Sequence, residues 1–300
     1  MKNKRILITG GLGQVGSYLT ERYYENNEIT ILDNASSSYR DTVPENVNLV
    51  IGDIQGPEAV RLVNQADIVI HTAAQIDVNK SFNQPSFDCD TNIQGTLNLL
   101  AASKDLNLDK FIYFSSAAVY GDPIKIPVHE SHPTEPLSPY GVSKLAGEKY
   151  ALMYQRAFDL PVVAIRPFNI YSPRQNPLNP YSGVISKFIE HVKSNQSPTI
   201  FGDGKQTRDF ISVHDIVNLV NLILKSNKVI GKVFNAGTGT QTNINTLSDL
   251  VMELIGNELE INYQEARPGD IYHSVADISA AKKLGFKPDL NLKRGLTELI

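Results

Sequence analysis

Tyr140-Gly-Val-Ser-Lys144 places a phenol and an ammonium one helical turn apart, on the same face of any helix that contains them. A tyrosine with its ordinary pKa of ~10 becomes a base near neutral pH only if that value falls by roughly three units, about 4 kcal/mol. A neighbouring cation is the usual means. Lys144 is one candidate, and the serine pair Ser115-Ser116 offers a hydroxyl, Ser116, to orient a substrate oxygen. The spacing alone is also what a solvated amphipathic helix shows. What singles the pair out is its place, at the start of the helix that follows a buried strand.

That strand belongs to a series. Ile6, Leu7 and Ile8 form an apolar run of the kind buried on both faces of a sheet, and Gly11-x-Gly13-x-x-Gly16 follows at once. A helix-compatible segment reaches to about Asn26, and a second strand, Glu28–Asp33, ends on a carboxylate. This is the layout of a dinucleotide-binding βαβ unit. The first glycine permits the tight turn, the second lets backbone approach a pyrophosphate, and the third lets helix and strand pack closely. The start of the helix supplies unpaired N–H groups to the phosphates. Asp33 suits two ribose hydroxyls and repels a 2′-phosphate, so the expected cofactor is NAD, not NADP. Arg40 reads as a solvated loop charge.

Strand-like and helix-like segments then alternate, as in an α/β doubly wound parallel sheet, a Rossmann fold. Strands are expected at 47–51, 66–71, 110–114 and 161–166, a long helix over 85–104, a Pro-rich irregular loop over 121–139 and a helix over 140–158. Asp53, Ala73, Ala74, Ser116 and Asn169 all fall at carboxyl ends of these strands, where such sheets bind ligands. Pro173, Pro177, Pro180 and Gly183 suggest a boundary, giving an NAD-binding region over 1–170 and a smaller C-terminal α/β substrate-binding region over 171–300, some of which returns to the first sheet. In that region helices are expected at 184–193, 213–225 and 247–255, and strands at 199–201, 232–235 and 260–263.

Composition narrows the function classes. With 41% hydrophobic and 20% charged residues and a net charge of −4, the chain reads as an ordinary soluble protein without the basic surface that nucleic acid requires. Cys89, the one cysteine, excludes an internal disulfide and a cysteine zinc site, and reads as a small, buried or half-buried residue; no metal is expected. No run is long enough to span a bilayer and no signal-like segment follows the opening charges, so a cytoplasmic protein is expected.

Taken together, Gly10-Gly-x-Gly-x-x-Gly16, Asp33-Asn34, Gly52-Asp-Ile54, His71-x-Ala-Ala74, Asn92, Ser116, Tyr140-x-x-x-Lys144, Arg166-Pro-Phe-Asn169, Phe201-Gly-Asp-Gly-Lys-Gln-Thr-Arg208 and Arg267-Pro-Gly-Asp270 resemble an extended short-chain dehydrogenase/reductase. Within that family the match is to UDP-glucose 4-epimerases, over nearly the whole chain. The resemblance implies that Ser116, Tyr140 and Lys144 are catalytic. It implies that Gly10, Gly13, Gln14, Val15, Asp33, Asn34, Asp53, Ile54, Ala73, Ala74, Gln75, Asn92 and Phe168 surround NAD, with Tyr140 and Lys144. It also implies that Asn169, Phe201, Arg208, Arg267 and Asp270 hold a UDP-sugar beside Ser116 and Tyr140. The similar dehydratases and decarboxylases carry acids just after the serine; this chain has Ala117-Ala118, leaving oxidation and return of the hydride as the expected chemistry.

Ser274 occupies a position where glucose-restricted relatives tend to carry Tyr, so N-acetylated UDP-hexosamines are expected to fit as well. Ser172 replaces a common glycine, and Ile76 lies near a position that is Lys in some epimerases. The family also implies a homodimer through helices near 92–104 and 140–158. The rival readings are a UDP-glucuronate 4-epimerase, which needs a cation near the sugar carboxylate, and a non-catalytic NAD(H)-sensing protein, against which the retained Tyr140 and Lys144 argue.

Overall fold

Ile6 and Ile8 are buried on one face of the first strand and Leu7 on the other, and the next strands repeat that alternation. The computed structural model describes residues 1–300 except 37–42, 175–182, 267–270 and 290; Arg40, Pro177, Pro180, Arg267 and Asp270 therefore lie outside the described residues. The chain runs β1 (Arg5–Thr9), α1 (Gln14–Tyr23), β2 (Glu28–Asp33), β3 (Asn48–Ile51), α2 (Pro57–Val63) and β4 (Ile68–His71). Two short helices, α3 (Val78–Asn83) and α4 (Pro85–Cys89), lead through a π-helical turn at Asp90–Gln94 into α5 (Gly95–Ser103). Then come β5 (Lys110–Phe114), a 3₁₀ turn at Ala117–Tyr120, α6 (Pro139–Phe158) and β6 (Val162–Pro167). The remainder is β7 (Asn169–Tyr171), α7 (Val184–Lys193), β8 (Thr199–Phe201), β9 (Thr207–Arg208), β10 (Phe210–Ser212), α8 (Val213–Leu224) and β11 (Val233–Ala236). It closes with β12 (Thr242–Asn243), α9 (Ile244–Ile255), β13 (Asn262–Gln264), α10 (Ser279–Lys282) and α11 (Leu292–Thr297).

A seven-stranded sheet in the order β11-β6-β5-β4-β1-β2-β3 carries the fold, and every pairing in it is parallel. The order reverses at β1, which pairs with β2 on one side and β4 on the other. That reversal opens the crevice at the carboxyl ends where Gly11–Gly16 lie. On one face Ile8, Ile31, Ile70, Ile112 and Ile165 pack with Leu19 of α1 and Leu219 of α8. On the other, Leu7, Leu32, Val69, Phe111 and Ala164 pack with Leu62 of α2, Leu99 of α5 and Ala151 of α6. Phe188 of α7, Ile200 of β8, Phe210 of β10 and Leu247 of α9 form a separate apolar cluster, beside which β7 pairs with β10 and β8 with β13.

The segment 85–104 departs from the single α-helix expected of it. The π turn inserts one extra residue per turn and re-aims Asn92 inward. Cys89 is exposed, not buried or half-buried, because Asp88 takes the inward position on α4. Among the described residues, no helix is long and apolar enough to cross a membrane.

Candidate active site

Three glycine contacts shape the crevice. Gly10 has φ +72°, and a Cβ there would meet the Ala73 nitrogen at 2.7 Å, so the first turn lies directly against the end of β4. A Cβ at Gly16 would meet the Gly10 oxygen at 2.2 Å. Gly13 caps α1 without a side-chain acceptor, leaving the first N–H groups of that helix to a ligand. The Gln14 side-chain nitrogen beside them is buried and has no hydrogen-bond partner among the described residues. A bare helix start, a cradle that admits no Cβ and an unpaired buried amide together fit the diphosphate of a dinucleotide.

Asp33 closes the ribose side. Its carboxylate accepts from Leu12 N at 3.0 Å and Ala35 N at 2.9 Å, one bond per oxygen, which leaves a lone pair on each for a ribose hydroxyl. Asn34 Nδ2 donates to Asp53 Oδ2 at 3.1 Å across the ends of β2 and β3, and buried Ile54 packs against Gly95. Replacing Asp33 by Ala should lower NAD retention at least about tenfold and erase the preference over NADP, because a charge-assisted pair of bonds is lost. Cofactor content measured after denaturing the purified variant checks this.

The Gln75 and Asn92 side chains are spoken for within the protein. Asn92 Oδ1 accepts from Gln75 N (2.8 Å), while its Nδ2 donates to Gln75 O (2.9 Å), Asp88 Oδ1 (3.2 Å) and Ser143 Oγ (3.0 Å). Gln75 Nε2 donates to Asp88 Oδ1 at 2.8 Å and to Asp77 O at 2.9 Å. These two residues tie the loop after β4 to α4 and α6.

Ser116, Tyr140 and Lys144 are brought together. Ser116 ends the strand-to-turn connection after β5, with Oγ accepting from Ala118 N at 3.1 Å, and its hydroxyl faces the half-buried Tyr140 phenol. A Cβ at Gly141 would meet Ala118 O at 2.8 Å, so glycine there lets the start of α6 press on this turn. Ser138 caps α6 by accepting from Gly141 N at 3.1 Å, with Pro139 at the first helical position. Lys144 is buried, its Nζ lying 4.7 Å from the centre of the Tyr113 ring.

Burial governs both titrating groups. It pulls the Lys144 ammonium down to about 7, against the fields of Asp88 and Glu148. It holds the Tyr140 phenol above its usual value, with Ser116 pulling down and Asp88 pushing up. The sequence assigned the lowering of Tyr140 to Lys144 and the positive nicotinamide ring together; in the protein alone the phenol stays raised, Ser116 is the one pull downward, and Lys144 is not among the influences on it. The positive ring of bound oxidised NAD is the cation that would complete it. His71, between Thr9 Oγ1 (2.8 Å) and Thr96 Oγ1 (3.0 Å), is pushed to about 3 by burial and then by Lys144, and so stays neutral.

Two residues that build the site have no role in the sequence analysis, Glu148 and Asp209, the latter falling in the motif that continues past Arg208. Glu148 lies two turns beyond Tyr140 on the same face of α6, is fully buried and pairs with Arg166 through contacts of 2.6 and 2.8 Å. It also accepts from Ser115 Oγ at 2.7 Å, pinning the residue before Ser116. Its i+8 spacing from Tyr140 was the available signal. Asp209 is buried and accepts from Thr238 N, Gly239 N and Ala276 N, and burial raises its pKa.

On the substrate side, Asn169 N donates to Asp209 O at 3.0 Å, and Phe168 packs with Tyr120, Val128 and Ala276. Arg208 lies on β9, with Nη1 donating to Thr207 O at 2.9 Å, and Ser274 N donates to that same oxygen at 3.1 Å, so Arg208 and Ser274 adjoin. Phe201 is half-buried at the end of β8, its carbonyl accepting from Gln206 Nε2 at 2.7 Å. Ser172 is buried and needs no positive φ, so the loss of glycine there leaves the backbone in an ordinary conformation.

A doubly wound parallel sheet with a glycine-lined crevice at its switch point defines a Rossmann-type dinucleotide-binding protein of the extended short-chain dehydrogenase/reductase class. The model of the NAD dependent epimerase/dehydratase family matches residues 6–237, and the chain belongs to that family. It is 40% identical to a putative UDP-glucose 4-epimerase of Methanocaldococcus jannaschii over 98% of this chain and 97% of that one. It superposes with TM-score 0.95 and 36% identity, over 100% and 97% of the two chains, on a UDP-N-acetylglucosamine 4-epimerase of Methanobrevibacter ruminantium solved with UDP-N-acetylmuramic acid. A UDP-glucuronic acid 4-epimerase of Bacillus cereus, solved with UDP-glucuronic acid and NAD, matches with TM-score 0.90 and 32% identity over 97% and 96%.

Proposed function

We propose that this enzyme catalyses the reversible, NAD-dependent 4-epimerisation of a UDP-hexose, UDP-glucose to UDP-galactose, extending to their N-acetylated counterparts. The observation that carries the reading is Tyr140 set beside Ser116, whose hydroxyl acts on the phenol, with Lys144 one turn along the same helix, and alanines, not acids, at 117 and 118. A sugar C4–H has no adjacent carbonyl, so direct deprotonation is very unfavourable, and oxidation at C4 makes the carbon planar. NAD, when bound, supplies the acceptor and later the donor of the C4 hydrogen.

Each protein group then has one task. Ser116 hydrogen-bonds O4 and fixes the sugar's orientation. Tyr140 takes the O4 proton as the ketone forms and gives it back as the alcohol is restored. Lys144, together with the positive ring of NAD when that is bound, would stabilise the phenolate. Without an acid after Ser116, no further proton is removed from the ketone, and reduction at the opposite face is the remaining exit. Arg208 and Arg267 would grip the diphosphate by paired bonds while the sugar turns between faces, with Asn169, Phe201 and Asp270 around the nucleotide. The small Ser274 beside Arg208 leaves room for an N-acetyl group.

The reaction is placed in the cytoplasm, in a homodimer through helices 92–104 and 140–158. Val142, Tyr150 and Phe158 expose apolar surface on the second of these helices. UDP-galactose carrying deuterium at C4 should yield UDP-glucose that keeps the label without added NAD, and UDP-N-acetylglucosamine should turn over above background. Loss of the label to solvent overturns the mechanism. Turnover of UDP-glucuronate alone overturns the substrate assignment.

A further inference from the structure

Asp88 is 1% exposed, yet among the described residues it forms no ion pair. Its Oδ1 is held by two neutral amides, Gln75 Nε2 at 2.8 Å and Asn92 Nδ2 at 3.2 Å. Asn92, within the π turn at Asp90–Gln94, joins Asp88 to the Gln75 backbone and to Ser143 on α6. A carboxylate taken out of water this completely needs a balancing positive charge. Glu148 cannot share that role equally, because the Arg166 guanidinium already pairs with both of its oxygens.

We propose that Asp88, fixed by Gln75 and Asn92 against α6, is the counter-charge of Lys144 and a positioning residue for the Tyr140 reaction. The proposal rests on the reading of Tyr140 and Lys144 given above. Of the charges that hold the proton on Lys144, Asp88 contributes most, ahead of Glu148. The same charge acts on Tyr140 and Tyr113, opposing ionisation of both. The other groups facing Lys144 are accounted for: Tyr140 and Glu148 on α6, Tyr113 on β5 held as the phenol by burial, and His71 on β4 held neutral. Asp77, at the start of α3, is turned to Lys80 N and is not among the charges acting on Tyr140 or Lys144.

The sign of the effect is distinctive. A fixed negative charge favours ammonium over amine and phenol over phenolate alike. Removing it makes both groups lose their protons at lower pH, whichever macroscopic step belongs to which residue. Asp88→Asn keeps the shape and removes the charge. Both limbs of its pH–turnover profile should move to lower pH by about one unit.

Independently of turnover, the phenolate absorbance assigned to Tyr140, taken as the difference from the same protein carrying Tyr140→Phe, should also appear at lower pH. Ser143→Ala cuts the Asn92–Ser143 bond while leaving the charge, and both limbs should stay in place. If Asp88→Asn does not fold, Asp88→Ser leaves room for water on the two amides and reads the same shift. An unmoved profile in the folded variant, limbs that move in opposite directions, or an equal shift in Ser143→Ala overturns the proposal. Loss of turnover in Tyr140→Phe with an unmoved Asp88→Asn profile would sink this inference alone and leave the proposed function standing.

Discussion

Tyr140→Phe should lower turnover of UDP-galactose by about 10²- to 10⁴-fold, the range lost when a positioned acid–base group is removed, while the purified variant keeps its NAD. The substitution deletes one oxygen and keeps the ring. The ring sits near the start of α6, where Pro139, the Ser138 cap and Gly141 fix the backbone without help from the hydroxyl. The glycine cradle, Gln14 and Asp33 lie in the turn after β1, on α1 and at the end of β2, and make no contact that depends on that oxygen. Cofactor content and turnover should therefore separate. Ser116 keeps the bond from Ala118 N whether or not the phenol oxygen is present, so the turn after β5 stays formed. Turnover within tenfold of the parent protein would remove Tyr140 from its assigned role; loss of NAD alongside turnover would make its role structural.

The sheet was legible in the sequence where burial on both faces leaves a continuous apolar run. β2, β5 and α7 fall at 28–33, 110–114 and 184–193, where they were expected, and β1, β3, β4 and β6 within two residues of expectation. Elements of two or three residues, such as β7, β9, β10 and β12, carry no periodicity of their own and exist because a partner strand is already in place. The short helices α2 and α3 escaped for the same reason.

The polar machinery divides differently. Ser116 and Tyr140 could be found because their types and spacing describe a reaction. Asp88 and Asp209 could not, and Glu148 only by its spacing from Tyr140, since on paper a carboxylate in a helix or loop looks solvated and only the fold shows it buried. The Cys89 expectation failed through the same gap in reverse. A small apolar residue was assigned inward, while the neighbouring acid, Asp88, took that position because Gln75 and Asn92 satisfy it there.

Arg166→Met should destabilise the holoenzyme by about 3–5 kcal/mol, because it strands the Glu148 carboxylate in a site without water. Glu148 is 0% exposed and Arg166 3%. The guanidinium holds both carboxylate oxygens, donates to Glu130 O at 3.0 Å and lies with its carbon 4.7 Å from the centre of the Tyr120 ring. Methionine replaces the stem but none of these bonds. Among the described residues, only Ser115 Oγ would remain to hold Glu148. The double variant Glu148→Leu/Arg166→Met removes the stranded charge and should recover most of the loss, since a buried pair contributes little net stability over apolar residues of similar volume. Urea unfolding at one fixed NAD concentration, so that cofactor linkage is the same in every sample, measures both differences. A single-variant loss below about 1 kcal/mol would mean that water reaches Glu148. A double variant as unstable as the single would mean that the pair matters through Ser115 and Glu130, as a rivet between α6, β5 and the loop before it, and not through the charge left behind.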